Sequence, residues 1–225
     1  MEPVHSVADQ SPLADLAISE HALNTPRKRS QFLKGLLVAG AGIAVAAALA
    51  PTAGVAAGHS STPAASDIDI LNYALTLERL ETAFYDMAVA NVPFEQPSVG
   101  DLAKIIQADE HAHVAALTSA IKSFGGTPVD PAHSYQFGAD TFKSQSAFLK
   151  LSYMLEDTGV HAYLGAAPLI KSQEILLTVA HTVTVEARHA GAIRYLYGLP
   201  VTLGAFDTPL TKAQVLSIAG PLIGK

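Results

Sequence analysis

The sequence predicts an all-α protein: a four-helix bundle with a long crossover between helices 2 and 3, plus a short C-terminal helix. Three observations predict this class. Four long segments carry apolar residues at helical spacing, no segment shows the sustained alternation of a strand, and the longest connection joins the second segment to the third. Hydrophobic residues make up 49% of the 225 positions and charged residues only 15%, so the chain can bury a sizeable core.

The N-terminal part differs in composition from the rest. We expect residues 1–57 to be a disordered leader and export signal, and residues 58–66 to be a linker. A basic cluster, "RKRSQFLKG", precedes an apolar stretch rich in Gly and Ala and then small residues, which is the order of an export signal. An uncleaved anchor is the alternative, although the apolar run is short for a membrane span. The protein is therefore expected in the periplasm or cell envelope, and it would meet a membrane only through this segment.

The export route stays open. "RSQFLKG" resembles a twin-arginine motif, but Ser30 stands where the second arginine is expected. Both twin-arginine and general secretion are compatible with this leader.

The globular domain is expected over residues 67–225, and its first two helices have clear boundary signals. Helix 1 is predicted from Asp67 to Asn91, with Ser66 as its N-cap. "SVGD", residues 98–101, predicts a capping box for helix 2, which should end near Phe124 because Gly-Gly-Thr-Pro follows.

The second pair of helices follows the long loop. Helix 3 is predicted over residues 144–164, and helix 4 from the N-cap Ser172 to Gly198. The tail contains a short apolar helix that we expect to pack over one end of the bundle.

Composition excludes several classes of function. The net charge of -6 and the lack of a Lys/Arg run in the domain argue against a nucleic-acid partner. Since there are no cysteines, disulfides, thiolate metal sites and cysteine nucleophiles are excluded.

A helical hairpin pattern occurs twice in the domain. "LERLETAFY" and "LEDTGVHAY" each place a glutamate seven residues before a tyrosine, and "DEHAHVAAL" and "VEARHAGAI" each contain Glu-x-x-His. The residues concerned are Glu78, Tyr85, Glu110 and His113 in the first half, and Glu156, Tyr163, Glu186 and His189 in the second.

These glutamates lie on helices that are otherwise apolar, and this calls for a positive partner. A buried carboxylate without a partner costs several kcal/mol. Four carboxylates carry about -4, which two divalent cations would neutralise, and two imidazoles complete the donor set. Mixed carboxylate and imidazole donors suit iron or manganese better than a soft metal. The pattern therefore predicts a dinuclear metal site.

The domain resembles ferritin-like proteins with a di-iron or di-manganese centre, most nearly an exported bacterial branch associated with stress or desiccation. "LERLETAFY", "EDTGVHAYLGAAP", "VEARHAG" and "FDTPLTKAQVL" carry the resemblance, which covers residues 67 to about 223. It implies that the Glu-x-x-His glutamates bridge two metals and that the other donors bind one metal each. The bridging residues are then Glu110 and Glu186, and the terminal ligands are Glu78, Glu156, His113 and His189.

Several residues near this set admit two interpretations. Glu81 lies one helical turn beyond Glu78 and could replace or supplement it, but in the repeat it aligns with Gly159. Tyr85 and Tyr163 are candidate catalytic or hydrogen-bonding groups, with plain core aromatics as the alternative. Asp157 and Arg188 are candidates for fixing the histidines, with a surface pair as the alternative.

The expected function follows from the resemblance. We expect two Fe ions, with Mn as the alternative, reacting with O2 or peroxide or oxidising Fe(II), as in a ferroxidase, a peroxidase or a di-manganese catalase-like enzyme. The competing hypothesis is a non-enzymatic, protective bundle of the cell envelope with a structural metal or none. Metal identity, substrate and oligomeric state stay open.

Overall fold

The computed structural model describes residues 65–224. Its four long helices are α1, Ala65–Asn91; α2, Pro97–Ser123; α3, Gln145–Ala166; and α4, Gln173–Leu196. A short helix α5, Lys212–Ala219, follows, and single 3-10 turns occupy Ala167–Leu169 and Gly220–Leu222. No strand occurs among the described residues, where one isolated bridge joins Tyr135 to Ile223.

The helices form two hairpins that pack together. Helix α1 packs on α2 and α3 packs on α4, while α1 also contacts α3 and α2 contacts α4. The longest connection runs between α2 and α3. The predicted class, an all-helical bundle with a crossover between its second and third helices, is confirmed.

The first two helices begin earlier than predicted. Helix α1 starts at Ala65, two residues before the expected boundary, so that Ser66 lies inside it. Helix α2 starts at Pro97 with Gln96 as its N-cap and no side-chain cap bond, so the predicted capping box is wrong. Proline suits the first helical position because its φ is preset and it has no N–H to satisfy, and this moves the start ahead of Ser98.

The other helix boundaries follow the sequence signals. Ser144 and Ser172 cap α3 and α4, with their hydroxyls accepting from the backbone N–H of Ala147 at 3.2 Å and of Ile175 at 3.4 Å. Gly125 follows the end of α2 with a φ of 79°, a left-handed conformation that glycine adopts without strain.

The tail belongs to the bundle. Helix α5 packs against α3, and its Val215 and Ala219 are buried in the larger core cluster, which also contains Phe84 and Phe148. The backbone N–H of Gln136 in the crossover donates to the carbonyl of Leu222 at 2.8 Å. The crossover is thereby fixed to the end of the tail.

No helix in residues 65–224 is both long and apolar enough to span a bilayer. The predicted leader and export signal, residues 1–57, and nearly all of the linker lie outside the described residues.

Candidate metal centre

All four long helices contribute to one buried cluster of carboxylates and imidazoles. In α2 and α4 the Glu-x-x-His spacing is about one turn, so both side chains leave the same face. Glu110, Glu156 and Glu186 are fully buried and Glu78 is 1% exposed. The structure brings together all six predicted metal ligands: Glu78, Glu110, His113, Glu156, Glu186 and His189.

The cluster consists of two four-residue groups, each of which could hold a metal ion. One group is Glu78, Glu110, His113 and Glu186, and the other is Glu110, Glu156, Glu186 and His189. Within each group, one donor atom per residue lies within 4.8 Å of the others. Glu110 and Glu186 occur in both groups, which is the position that bridging carboxylates would take.

Both imidazoles turn the same nitrogen towards the carboxylates. His113 Nδ1 lies 2.9 Å from Glu186 Oε1, 3.1 Å from Glu78 Oε2 and 3.5 Å from Glu110 Oε2. His189 Nδ1 lies 3.2 Å from Glu110 Oε1 and 3.5 Å from Glu156 Oε2. Nδ1 is therefore the nitrogen that each histidine would offer to a metal ion held by the carboxylates of its own group.

Unpartnered buried atoms concentrate at this cluster. Among the described residues, several buried side-chain atoms make no well-directed hydrogen bond although histidine–carboxylate contacts of 2.9–3.9 Å surround them: both carboxylate oxygens of Glu110 and of Glu186, Glu156 Oε2 and His189 Nδ1. Buried polar groups normally have partners, and leaving them without one is costly. Oxygen and imidazole donors suit iron or manganese, so these residues fit a pair of such ions.

The mutual repulsion of the carboxylates is visible in their pKa values. Burial, together with the charges of neighbouring glutamates, raises the pKa of Glu186 well above 4.5 and that of Glu110 to about 7. Burial would also raise the pKa of Glu78, but its hydrogen bond and charge interaction with His113 lower it overall.

The histidines respond to the same charges. Burial alone would lower the pKa of His113 and of His189, but hydrogen bonds with the surrounding carboxylates raise both above 6.5. Without a metal the cluster therefore holds protons, and a cation would have to displace them.

The two tyrosines cross between the halves of the repeat. The hydroxyl of Tyr85, on α1, donates to Glu156 Oε1 on α3, and Tyr163, on α3, donates to Glu78 Oε1 on α1. Burial first, and then the charge of these glutamates, raises the pKa of both phenols well above 10, so both act as neutral donors. Because both hydroxyls donate to candidate ligands, these tyrosines do more than fill the apolar core.

Glu81 is buried beside the cluster but belongs to neither four-residue group. A Cβ placed on Gly159 would lie 3.1 Å from Glu81 Oε1 and 3.6 Å from Glu186 Oε2. The missing side chain at Gly159 thus makes room for the Glu81 carboxylate. This arrangement favours Glu78 over Glu81 as the α1 ligand.

The sequence interpretation missed Asp109, which contacts His189 on the side that faces away from the other ligands. Asp109 Oδ2 lies 3.1 Å from His189 Nε2. Asp157 instead pairs with Arg194, and Arg188 donates to the carbonyl of Thr184 at 2.9 Å, so neither fixes a histidine. Asp109 directly precedes Glu110, and an acidic residue beside a ligand on the neighbouring helix was the available signal.

A four-helix bundle in which every long helix contributes a carboxylate and two of them add an imidazole has the architecture of the ferritin-like class. The chain belongs to the ferritin-like domain family, whose model matches residues 66–199.

Solved structures share this fold. A conserved hypothetical protein from Mycobacterium tuberculosis superposes with a TM-score of 0.53 at 19% identity, covering 63% of this chain and 96% of that one. The ferritin-like, diiron-carboxylate proteins from Bacillus anthracis give a TM-score of 0.50 at 21% identity, with 58% and 94% covered. At these identities the likeness concerns the fold.

Among curated proteins, the chain is similar to Protein rds1 of Schizosaccharomyces pombe. The two are 25% identical over 157 residues, which is 70% of this chain. The match covers only 36% of the length of that relative.

Proposed function

We propose that the protein holds a dinuclear iron or manganese centre and uses it to react with O2 or peroxide, or to oxidise Fe(II). The observation that carries this proposal is the pair of four-residue groups sharing Glu110 and Glu186. The buried carboxylate oxygens at the same place support it, because they make no well-directed hydrogen bond within the chain and bound cations would give them partners.

Two such ions, when bound, would supply one-electron redox chemistry and Lewis acidity. The chain's residues have the remaining tasks. Glu110 and Glu186 would contribute to both metal positions, and Tyr85 and Tyr163 keep Glu156 and Glu78 oriented by hydrogen bonds. Burial of the cluster excludes bulk water, which strengthens every charge interaction inside it.

The surroundings of the cluster favour a very small substrate. A cavity of about 100 Å³ lies against Asp157, His161 and Arg194, and none of the six candidate ligands lines it. A gap of about 10 Å³ reaches Glu81 and Gly159, with mainly apolar walls. O2 and peroxide are small enough to be compatible with so little open space beside the cluster.

We further propose that the protein is exported and that its activity protects the cell envelope under stress. The support is the charged, apolar and small-residue order of residues 27–57. Mass spectrometry of the protein from its native host tests the export step. An intact N-terminus in a soluble cytoplasmic fraction would contradict it.

A second candidate is a protective bundle in which metals only stabilise the fold, since none of the six candidate ligands lines either of these two spaces. Elemental analysis of the purified protein, followed by assays of peroxide, O2 and Fe(II) turnover, separates the two. The proposed enzyme contains two ions per chain and shows turnover that Glu186→Ala abolishes. Glu174→Ala, on the exposed face of the same helix, should keep both properties. Metal without any turnover would favour the second candidate.

A further inference from the structure

The two histidines of the cluster differ at the nitrogen that points away from it. His189 Nε2 is 3.1 Å from Asp109 Oδ2. His113 makes its contacts through Nδ1, and its Nε2 has no hydrogen-bond partner among residues 66–224. The side chain of His113 is also twice as exposed, at 12% against 6%.

This difference follows from a difference in sequence between the two halves of the repeat. Asp109 directly precedes Glu110, and the residue that directly precedes Glu186 is Val185. The side chain of valine has no atom that accepts a hydrogen bond. The second half of the repeat therefore cannot give His113 the support that the first half gives His189.

A carboxylate on the outer nitrogen changes what the inner nitrogen can do. It holds the proton on Nε2, leaves the lone pair on Nδ1, fixes the ring orientation and makes the ligand more basic. Losing such a partner typically costs ten- to a hundredfold in metal affinity. Because the Asp109 side chain is 44% exposed and water can partly replace it, we expect the lower end of this range.

We propose that the two metal positions bind unequally: the position formed with His189 is tight and retained, and the position formed with His113 is weaker and exchangeable. Asp109 is the positioning residue that creates the difference. This inference rests on the proposed dinuclear site. It assigns the resident ion to the His189 side and the ion that enters and leaves to the His113 side.

Glu81 does not account for the difference. Its carboxylate faces Gly159 near Glu186, and Glu186 belongs to both groups. The bridging glutamates are shared as well, so the histidines, the terminal glutamates and their hydrogen bonds distinguish the positions.

The chain offers a matched control for the contact between Asp109 and His189. Asp86 Oδ1 lies 2.9 Å from His111 Nε2, and both side chains are about half exposed. This second Asp–His contact joins α1 to α2, whereas the contact between Asp109 and His189 joins α2 to α4. His111 belongs to neither donor group. Asp86→Ala therefore removes a comparable contact that involves no candidate ligand.

The test is a titration of the metal-depleted full chain with Mn(II), in which binding is measured by calorimetry and by electron paramagnetic resonance. We expect two binding steps at least about tenfold apart in Kd. His189→Ala should remove the tight step and His113→Ala the weak one. Asp109→Ala should weaken the tight step about tenfold and leave the weak step in place, and Asp109→Asn, which keeps an acceptor oxygen, should fall between. Asp86→Ala should match the parent.

The outcomes separate this inference from the function on which it rests. If the parent chain binds neither Mn(II) nor Fe(II), the dinuclear site itself is refuted. If it binds two ions with one affinity, or if Asp109→Ala weakens both steps equally, the site stands and the inequality is overturned. A lower melting temperature of metal-free Asp109→Ala with unchanged affinities would give Asp109 a purely structural role and would also overturn it.

Discussion

The two hairpins of the bundle carry one ligand pattern in two different settings. In each half a glutamate on the first helix and a Glu-x-x-His pair on the second meet the same elements of the other half. The surroundings differ: Glu81 on α1 faces Gly159 on α3, and Asp109 on α2 corresponds to Val185 on α4. Shared ligands hold the cluster together, and unshared neighbours make its two sides inequivalent.

The tyrosines show the same combination of likeness and difference. Each donates to the terminal glutamate of the opposite half. Tyr85 also lies 2.6 Å from Ser152 Oγ, whereas the position in α1 that corresponds to Ser152 is occupied by the buried Ala74. The Tyr85–Glu156 pair thus has a polar neighbour, Ser152, at a position where the Tyr163–Glu78 pair has an alanine.

The largest effect should come from breaking what the halves share. Glu110→Ala and Glu186→Ala each remove a donor from both groups, so each variant should lose both ions, while Glu78→Ala and Glu156→Ala should each lose one. Elemental analysis per chain measures this. Loss of two ions in all four variants would mean that the positions do not fill independently.

Metal removal comes next in size. A ligand present at a hundredfold excess over its Kd stabilises a fold by about 3 kcal/mol, so a chelator should lower the melting temperature clearly. The drop should grow as pH rises. The raised pKa values of Glu110 and of both histidines stabilise the metal-free protein below their ordinary pKa values, and this is lost as pH rises through the folded ones.

For Glu110 this interval runs from pH 4.5 to about 7. The lowered pKa of Glu78 contributes stability that is complete above pH 4.5 and is lost only as pH falls below it, so Glu78 does not alter the trend in this interval. Thermal melts at a series of pH values, with and without chelator, check the slope. A drop that is independent of pH would contradict the role of these groups.

The tyrosine pairs should respond less strongly. Tyr85→Phe removes the hydroxyl that contacts both Glu156 and Ser152, whereas Tyr163→Phe removes a contact with Glu78 alone. A hydrogen bond to a charged group is worth about 1.5–3 kcal/mol, and we expect Tyr85→Phe to cost more than Tyr163→Phe. Urea unfolding of the metal-loaded protein gives both values, with Tyr195→Phe on the exposed surface as the control. Equal losses would show that Ser152 does not contribute.

The smallest effect concerns Glu81 and Gly159. Glu81→Ala should keep both ions, because Glu81 lies outside both groups. In a helix, Gly→Ala is worth about 1 kcal/mol, but in the parent the new methyl group would crowd Glu81 Oε1. Gly159→Ala should therefore be stabilising only in the Glu81→Ala background. A double-mutant cycle by denaturant unfolding measures the coupling, and a cycle without coupling would refute the contact.

The ligand set could be predicted from the sequence because it repeats. Two Glu-x-x-His pairs, each preceded by an aligned glutamate on an apolar helix, identify the donors without any knowledge of distances. The helices themselves followed from apolar periodicity and local caps, and Ser144 and Ser172 cap as their positions indicate. The N-cap of α2 was misjudged by two residues, Ser98 for Gln96, since two valid start signals, Pro97 and Ser98, lay side by side there.

The contacts between helices could not be predicted from the sequence. Periodicity places a side chain on a face of its own helix, but which neighbour it meets depends on how the helices are offset and rotated against each other. Local pattern therefore determined the fold class and the six candidate ligands. Packing decided that Tyr85 would bond Glu156 rather than its own Glu78, and that Asp109 rather than Asp157 would reach a histidine. These pairs join residues 71 and 80 positions apart, and only the bundle brings them together.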